Sequence, residues 1–285
     1  MKCVKPFVSR MGAFGCGQCL PCRVTARRTW AHRIQLEAMC HAENAFVTLT
    51  HSEDKVREVD PRELQLWLKR LRRSIYPNRV RHFSCAEYGD ISERPHYHSA
   101  LFGYPSCRGG ATLGGFCQCP ACSVVRSTWP YGFVTVGQLT EKSANYIAGY
   151  VTKKMTHRSD TRLRGRHPEF ARMSLKPGIG ADALHDVASA ILQYRSKDED
   201  VPVVLQWSKT SVKPLGKYLR RRLRLLLGKD EKAPASSLQA LSNQMQILRA
   251  FAWENDRSVS SVFAELFDPY ERTLAARLQL KQRTI

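Results

Sequence analysis

Residues 79–102, RVRHFSCAEYGDISERPHYHSALF, carry the reading on which the fold turns. Two runs rich in aromatic and apolar residues, Arg79 to Glu87 and His96 to Phe102, flank a loop containing Gly89 and Asp90, the pattern of an antiparallel hairpin. Side chains alternate along a strand, so His96 and His98 share one face while Tyr97 points to the other, as a core residue. Glu87 lies nine residues upstream of His96, and pairing the two leaves residues 88 to 95 as the loop. A carboxylate and two imidazoles then converge with coordination positions left open, a ligand set that suits Mg²⁺, Mn²⁺ or Zn²⁺. The His-x-His pair alone is a weak signal; the carboxylate at hairpin distance gives it weight.

Outward from the hairpin, Phe46 to Thr50 and Phe133 to Val136 read as further strands. Asp60-Pro61-Arg62-Glu63 is a helix start, with a capping carboxylate, proline in the first turn and Glu63 three residues after the cap. Leu64, Trp67, Leu68, Leu71 and Ile75 follow at helical spacing, and the outer face carries Lys69, Arg70, Arg72 and Arg73. That face is a phosphate contact or simply a solvated surface. Glu141 to Met155 forms a second helix around Ala144, Ile147, Ala148, Val151 and Met155. Strands and helices mix without βαβ regularity, which predicts an α+β fold around a central antiparallel sheet. Residues 1–41 read as a Cys-rich segment leading into a basic helix with Arg27, Arg28 and Arg33. Residues 42–230 read as the main domain with a Cys-rich insertion at about 104–128, and residues 231–285 as a helical C-terminal region.

A chain of 285 residues, 43% hydrophobic and 25% charged, is expected to be globular; a disordered or fibrous chain is excluded. No apolar run reaches the roughly 18 residues of a membrane span, and no secretory leader is apparent, so the expectation is a soluble cytosolic protein. The net charge of +20 exceeds what solubility requires and attracts polyanions, nucleic acid first.

The ten cysteines are clustered. Cys16, Cys19 and Cys22 form CxxCxxC; Cys117, Cys119 and Cys122 form CxCxxC; Cys3 and Cys107 lie upstream of each. In a reducing compartment such clusters read as metal sites, here two four-thiolate structural zinc sites. Which outlying cysteine completes which site stays open, and an iron–sulfur cluster or free thiols are the alternatives. Cys40 and Cys85 fall inside apolar patterns and read as small core residues.

Tyr146 and Tyr150 stand at i and i+4 on one helix face, with Lys153 and Lys154 one turn further on. They are either half-buried aromatics at the core edge or a pair of phenol nucleophiles, which need a cation to polarise the target phosphate.

The strand Phe46 to Thr50, the segment Glu87-Tyr88-Gly89 with Arg94-Pro95-His96-Tyr97-His98, and the run Tyr146 to Lys154 resemble, in order and spacing, the three motifs of HUH endonucleases that initiate rolling-circle replication. The tyrosine pair, the Cys16 to Cys22 cluster and the segment Met173-Ser174 to Pro177-Gly178-Ile179-Gly180 are most similar to the initiators of microviruses, the gokushovirus group especially. The resemblance covers roughly residues 1 to 225. It implies a palm-like, ferredoxin-like antiparallel sheet presenting the histidines, with the tyrosine helix alongside. Glu87, His96 and His98 would hold one Mg²⁺ or Mn²⁺. One tyrosine would attack to leave a 5′-phosphotyrosine and a free 3′-OH, and the second would act after one circuit. Lys153 or Lys154 would contact DNA phosphate or stabilise the phenolate. The implied partners are an origin, single-stranded or cruciform, and a host helicase and polymerase in a bacterial cytoplasm; no helicase-type GxxxxGK[ST] loop is present in the sequence. The competing readings are a zinc-containing DNA-binding regulator without catalysis, and a single-tyrosine transposase or relaxase.

Overall fold

The computed structural model describes residues 2–9, 12–52, 58–89, 93–107, 109, 117–150, 158–194 and 198–283. A short hairpin of β1 (Phe7–Ser9) and β2 (Gly12–Phe14) leads into α1 (Leu20–Met39), β3 (Asn44–His51) and α2 (Pro61–Ser74). The hairpin read from sequence follows as β4 (Arg81–Tyr88) and β5 (Pro95–Phe102), then α3 (Pro120–Thr128), β6 (Gly132–Gln138) and α4 (Glu141–Tyr150). The remainder comprises β7 (Phe170–Met173), α5 (Leu184–Gln193), the hairpin β8 (Val204–Ser208) and β9 (Ser211–Pro214), and helices α6 (Gly216–Leu226), α7 (Ala235–Glu254) and α8 (Val259–Arg283). Five strands form one antiparallel sheet in the order β6-β3-β5-β4-β7, giving the expected α+β architecture. Among the described residues no helix is long and apolar enough to cross a membrane.

Period-two alternation assigns each side of this sheet to a different core. Ala45, Val47 and Leu49 of β3, Tyr97 and Leu101 of β5, and Val134 and Val136 of β6 pack with Leu64, Trp67, Leu68 and Leu71 of α2 and Val125 of α3. On the other side Phe83 and Cys85 of β4 and Ala100 and Phe102 of β5 meet Ala31 and Ile34 of α1 and Ala144, Ile147 and Ala148 of α4. α2 begins as predicted: Pro61 lies in the first turn and the Asp60 carboxylate accepts from the Arg62 N–H at 2.7 Å. Glu63 instead accepts the Tyr97 hydroxyl at 2.7 Å, fastening α2 to the far side of the histidine strand.

Two features depart from the sequence reading. Cys85 is buried, but Cys40 is exposed at the C-cap of α1, where its Sγ–H donates to the Leu36 carbonyl at 3.4 Å. Helical periodicity does not distinguish the last turn from the turns before it, and the chain leaves the core there. Second, β7 was not legible as a strand, yet it completes the sheet edge beside β4. The segment Pro177 to Gly180 beyond it packs on α1. Gly180 has φ +80°, and a Cβ there would come within 2.8 Å of the Arg33 carbonyl oxygen, so only glycine fits. Its N–H donates to the fully buried Glu37 carboxylate at 2.7 Å, which also accepts from Arg81 of β4.

Glu37 therefore joins α1, β4 and the Gly180 turn. Replacing it with Ala leaves a guanidinium and a buried N–H without their acceptor and is expected to cost about 3 kcal/mol, measured by urea unfolding, with Glu37→Gln milder.

Candidate functional site

The hairpin register is the one the spacing requires: Glu87 stands opposite His96, Tyr88 opposite Pro95 and Cys85 opposite His98. The Gly89 N–H donates to the Arg94 carbonyl at 3.0 Å and closes the turn. Glu87, His96 and His98 thus share the side of the sheet covered by α1 and α4. His98 Nε2 and Glu87 Oε1 are 2.9 Å apart and both side chains are buried. The His98 and His96 rings are stacked with centroids 6.3 Å apart. Tyr97 faces away into the core with its hydroxyl bound at α2, as its place between the histidines predicts.

The remaining ring nitrogens show how this set suits a cation. His96 Nδ1–H donates to the Arg94 carbonyl at 2.6 Å, so its Nε2 carries the lone pair. His98 Nδ1 meets Thr48 Oγ1 at 3.0 Å. A hydroxyl donates or accepts, so Thr48 can serve either tautomer and leave His98 Nε2 available as a ligand. Thr48 was not singled out from the sequence. Its strand was legible, but its position opposite His98 depends on the non-local pairing of β3 with β5.

α4 lies directly over this group. The Tyr150 ring stacks on His98 at 5.4 Å with 10° between planes, and Tyr146 meets His98 edge-on at 5.3 Å. The two tyrosine rings are 4.9 Å apart and nearly perpendicular, as i and i+4 neighbours on one face. Phe46 of β3 completes the cluster, stacked on His98 at 5.8 Å and edge-on to Tyr146 at 6.1 Å. Tyr146 is 46% exposed. Burial pushes the Tyr150 phenol up from its ordinary value, with the Tyr146 hydroxyl and the Glu87 carboxylate adding to the rise. Lys153 and Lys154 lie outside the described residues.

The cysteines form two quartets, and the structure settles which outlier joins which. Cys3, Cys16, Cys19 and Cys22 bring their sulfurs within 4.8 Å of one another, as do Cys107, Cys117, Cys119 and Cys122. Both are built alike. Cys19 and Cys119 are N-caps, of α1 and α3, with proline in the first turn and the next cysteine, Cys22 or Cys122, three residues on. Helix N-termini favour negative charge, and thiolates suit them. Burial would raise the Cys16 thiol, but the N–H groups of Cys19 and Gln18 outweigh it and bring it to about 7. The Cys122 N–H holds the Cys119 thiol down at about 6. Sulfurs tetrahedral about one ion at the zinc–thiolate distance lie about 3.8 Å apart. The separations of 3.8 Å for Cys3–Cys19, 3.4 Å for Cys107–Cys117 and 3.9 Å for Cys107–Cys119 match a single ion, consistent with zinc. A multi-iron cluster, in which each thiolate takes a different iron, needs a wider cage.

Residues 44–155 match the family model of the replication-associated protein ORF2. That span runs from β3 through the histidine strand and the tyrosine helix. Replication-associated protein ORF2 of Spiroplasma virus 4 is 33% identical over 180 residues, covering 58% of this chain and 55% of the relative. Replication-associated protein VP4 of Bdellovibrio phage phiMH2K is 31% identical over 163 residues, with 52% and 50% covered.

The chain belongs with the phage replication-associated proteins.

A longer match, 23% identical over 251 residues and 84% of this chain, is to replication-associated protein ORF4 of Chlamydia phage 1, of which 61% is covered. The chain spans about half the length of the first two relatives. No solved structure matches. The family agrees with the microvirus resemblance carried by the histidine, tyrosine and cysteine motifs.

The quartet geometry predicts that elemental analysis of the purified chain finds two zinc ions. Cys22→Ser and Cys122→Ser should each remove one, and chelation should lower the unfolding temperature. Iron with visible absorption, or no bound metal, contradicts this account.

Proposed function

We propose that this chain initiates rolling-circle DNA replication by nicking an origin strand through tyrosine attack and later rejoining it to release circular single strands. The observation that carries the reading is the packing of both Tyr146 and Tyr150 against His98, itself in contact with Glu87. Phenols, imidazoles and a carboxylate thereby meet at one open edge of the sheet in a chain of charge +20.

In this mechanism Glu87, His96 and His98 hold one Mg²⁺ or Mn²⁺, whose contribution when bound is to polarise the scissile phosphate and stabilise the departing oxygen. Thr48 and the Arg94 carbonyl fix the imidazoles. One phenol oxygen bonds to phosphorus, the P–O3′ bond breaks, and the leaving oxygen takes a proton to become the free 3′-OH that primes synthesis. The product end is a 5′-phosphotyrosine. The other phenol, one helical turn away, attacks the regenerated junction after one circuit, and the 3′-OH it releases displaces the first tyrosine to close the circle. Lys153 or Lys154 would contact the phosphate or the phenolate. The two quartets take structural zinc. DNA is the partner, at a single-stranded or cruciform origin within the bacterial host cell, and strand separation and synthesis fall to a host helicase and polymerase.

A regulator that only binds DNA shares the cysteine quartets and the charge but has no use for two phenols on the histidine pair. The distinguishing product is a protein–DNA adduct that survives denaturant after incubation with stem-loop oligonucleotides and Mg²⁺ or Mn²⁺. Tyr146→Phe or Tyr150→Phe should leave adduct formation in at least one single variant, abolish circle production in both, and eliminate adducts when combined. His98→Ala should lose nicking by a factor of about 100 or more while salt-sensitive DNA binding persists, since Lys and Arg supply that affinity. A single tyrosine variant that makes circles at the parental rate would refute alternation.

A further inference from the structure

The row of residues that carries Glu87 and His96 continues across the sheet. Glu87 of β4 pairs with His96 of β5, His96 with Thr50 of β3, and Thr50 with Phe133 of β6, all on the side that faces α1 and α4. The helices cover this side over Phe46 and Ala100. They leave Phe133 59% exposed, whereas its strand neighbours Val134 and Val136, on the opposite side, are 3% exposed. Two strand spacings separate Phe133 from His96, about 10 Å.

A phenylalanine in the interior of a strand, in the same row as a phosphate-handling site, offers a flat apolar ring with no polar group of its own. Thr50 and His96 beside it are polar, so the ring is a single platform and not one corner of a broad apolar patch of the kind that docks proteins. The complementary ligand is planar, apolar on its faces and attached to a polyanion that a chain of charge +20 attracts. An unpaired nucleobase fits that description, and single-strand grooves use aromatic side chains in this way.

We infer that Phe133 is a base-stacking subsite, on which a nucleobase of the single strand packs while the neighbouring phosphate lies at Glu87, His96 and His98. The inference rests on the functional reading above and adds to it the residue that grips the strand beside the scissile phosphate. Every base presents a π-face, so Phe133 contributes affinity and positioning and leaves sequence choice to other contacts.

The test measures binding without divalent ions, so that it is independent of cleavage. Fluorescence anisotropy with labelled oligothymidylate is compared for the parental chain, F133A, F133L and F133W. F133A should weaken binding by about fivefold or more, F133L nearly as much, and F133W should retain parental affinity. On an abasic strand of equal length the parental chain and F133A should bind alike. Equal affinity of F133A and the parental chain for oligothymidylate overturns the subsite, as does F133L binding like the parental chain. If covalent adducts never form yet the base-dependent difference persists, the nicking reading fails and the subsite stands. Normal adducts with no difference in affinity sink the subsite alone.

Discussion

The pairing of β4 with β5 is the constraint on which the site depends. Antiparallel strands have a side-chain period of two, so a slip of one residue would exchange the two faces of every position. Tyr97 and Ala86 would leave the α2 side, and the histidines would be driven into the packed core formed with Trp67 and Trp129. The register is held from several directions. The Ser84 and Ser99 hydroxyls, directly opposite, bond at 2.8 Å in the buried interior. The Tyr88 hydroxyl donates to the His167 carbonyl at 2.7 Å, and the Tyr97 hydroxyl to Glu63 at the same distance. These bonds lie on the side opposite the candidate site. The polar anchoring that fixes the register is thus separate from the polar groups that would meet a substrate.

Glu87, His96 and His98 were legible because their relationship is local: one hairpin, one loop and a period of two. The tyrosine pair was equally legible as i and i+4 on a helix, but nothing in that spacing told which part of the sheet the helix would cover. Contact with His98 depends on α1 and α4 packing together over Phe83 and Ala100. Thr48 and Phe133 escaped notice for a related reason, since each gains meaning only through pairings with strands distant in sequence. β7, with four residues, and β1 and β2, with three each, are too short to impose a pattern and form because neighbours present backbone partners to them. Cys40 shows the opposite failure: an apolar residue type at an expected helical position need not be buried where the helix ends.

The cysteine quartets serve a mechanical purpose that composition made readable. Cys3 to Cys22 ties the N-terminal hairpin to the start of α1, the helix whose Ala31 and Ile34 roof the sheet. Cys107 to Cys122 secures the chain between β5 and α3, whose Val125 and Ala121 join the other core. Each loop-rich stretch lies next to a helix that positions one side of the sheet, and a four-thiolate site can hold such a stretch with little apolar burial of its own.

The central claim is that a phenol of α4 becomes covalently joined to DNA, and the most direct measurement locates that bond. After incubation with a stem-loop oligonucleotide and Mn²⁺, nuclease trimming and tryptic digestion should leave a nucleotide on the peptide of residues 143–153, SANYIAGYVTK, which contains both tyrosines. Fragmentation should assign the added mass to Tyr146 or Tyr150. A nucleotide found on any other residue, or an adduct that still forms when both tyrosines are phenylalanine, would contradict the account.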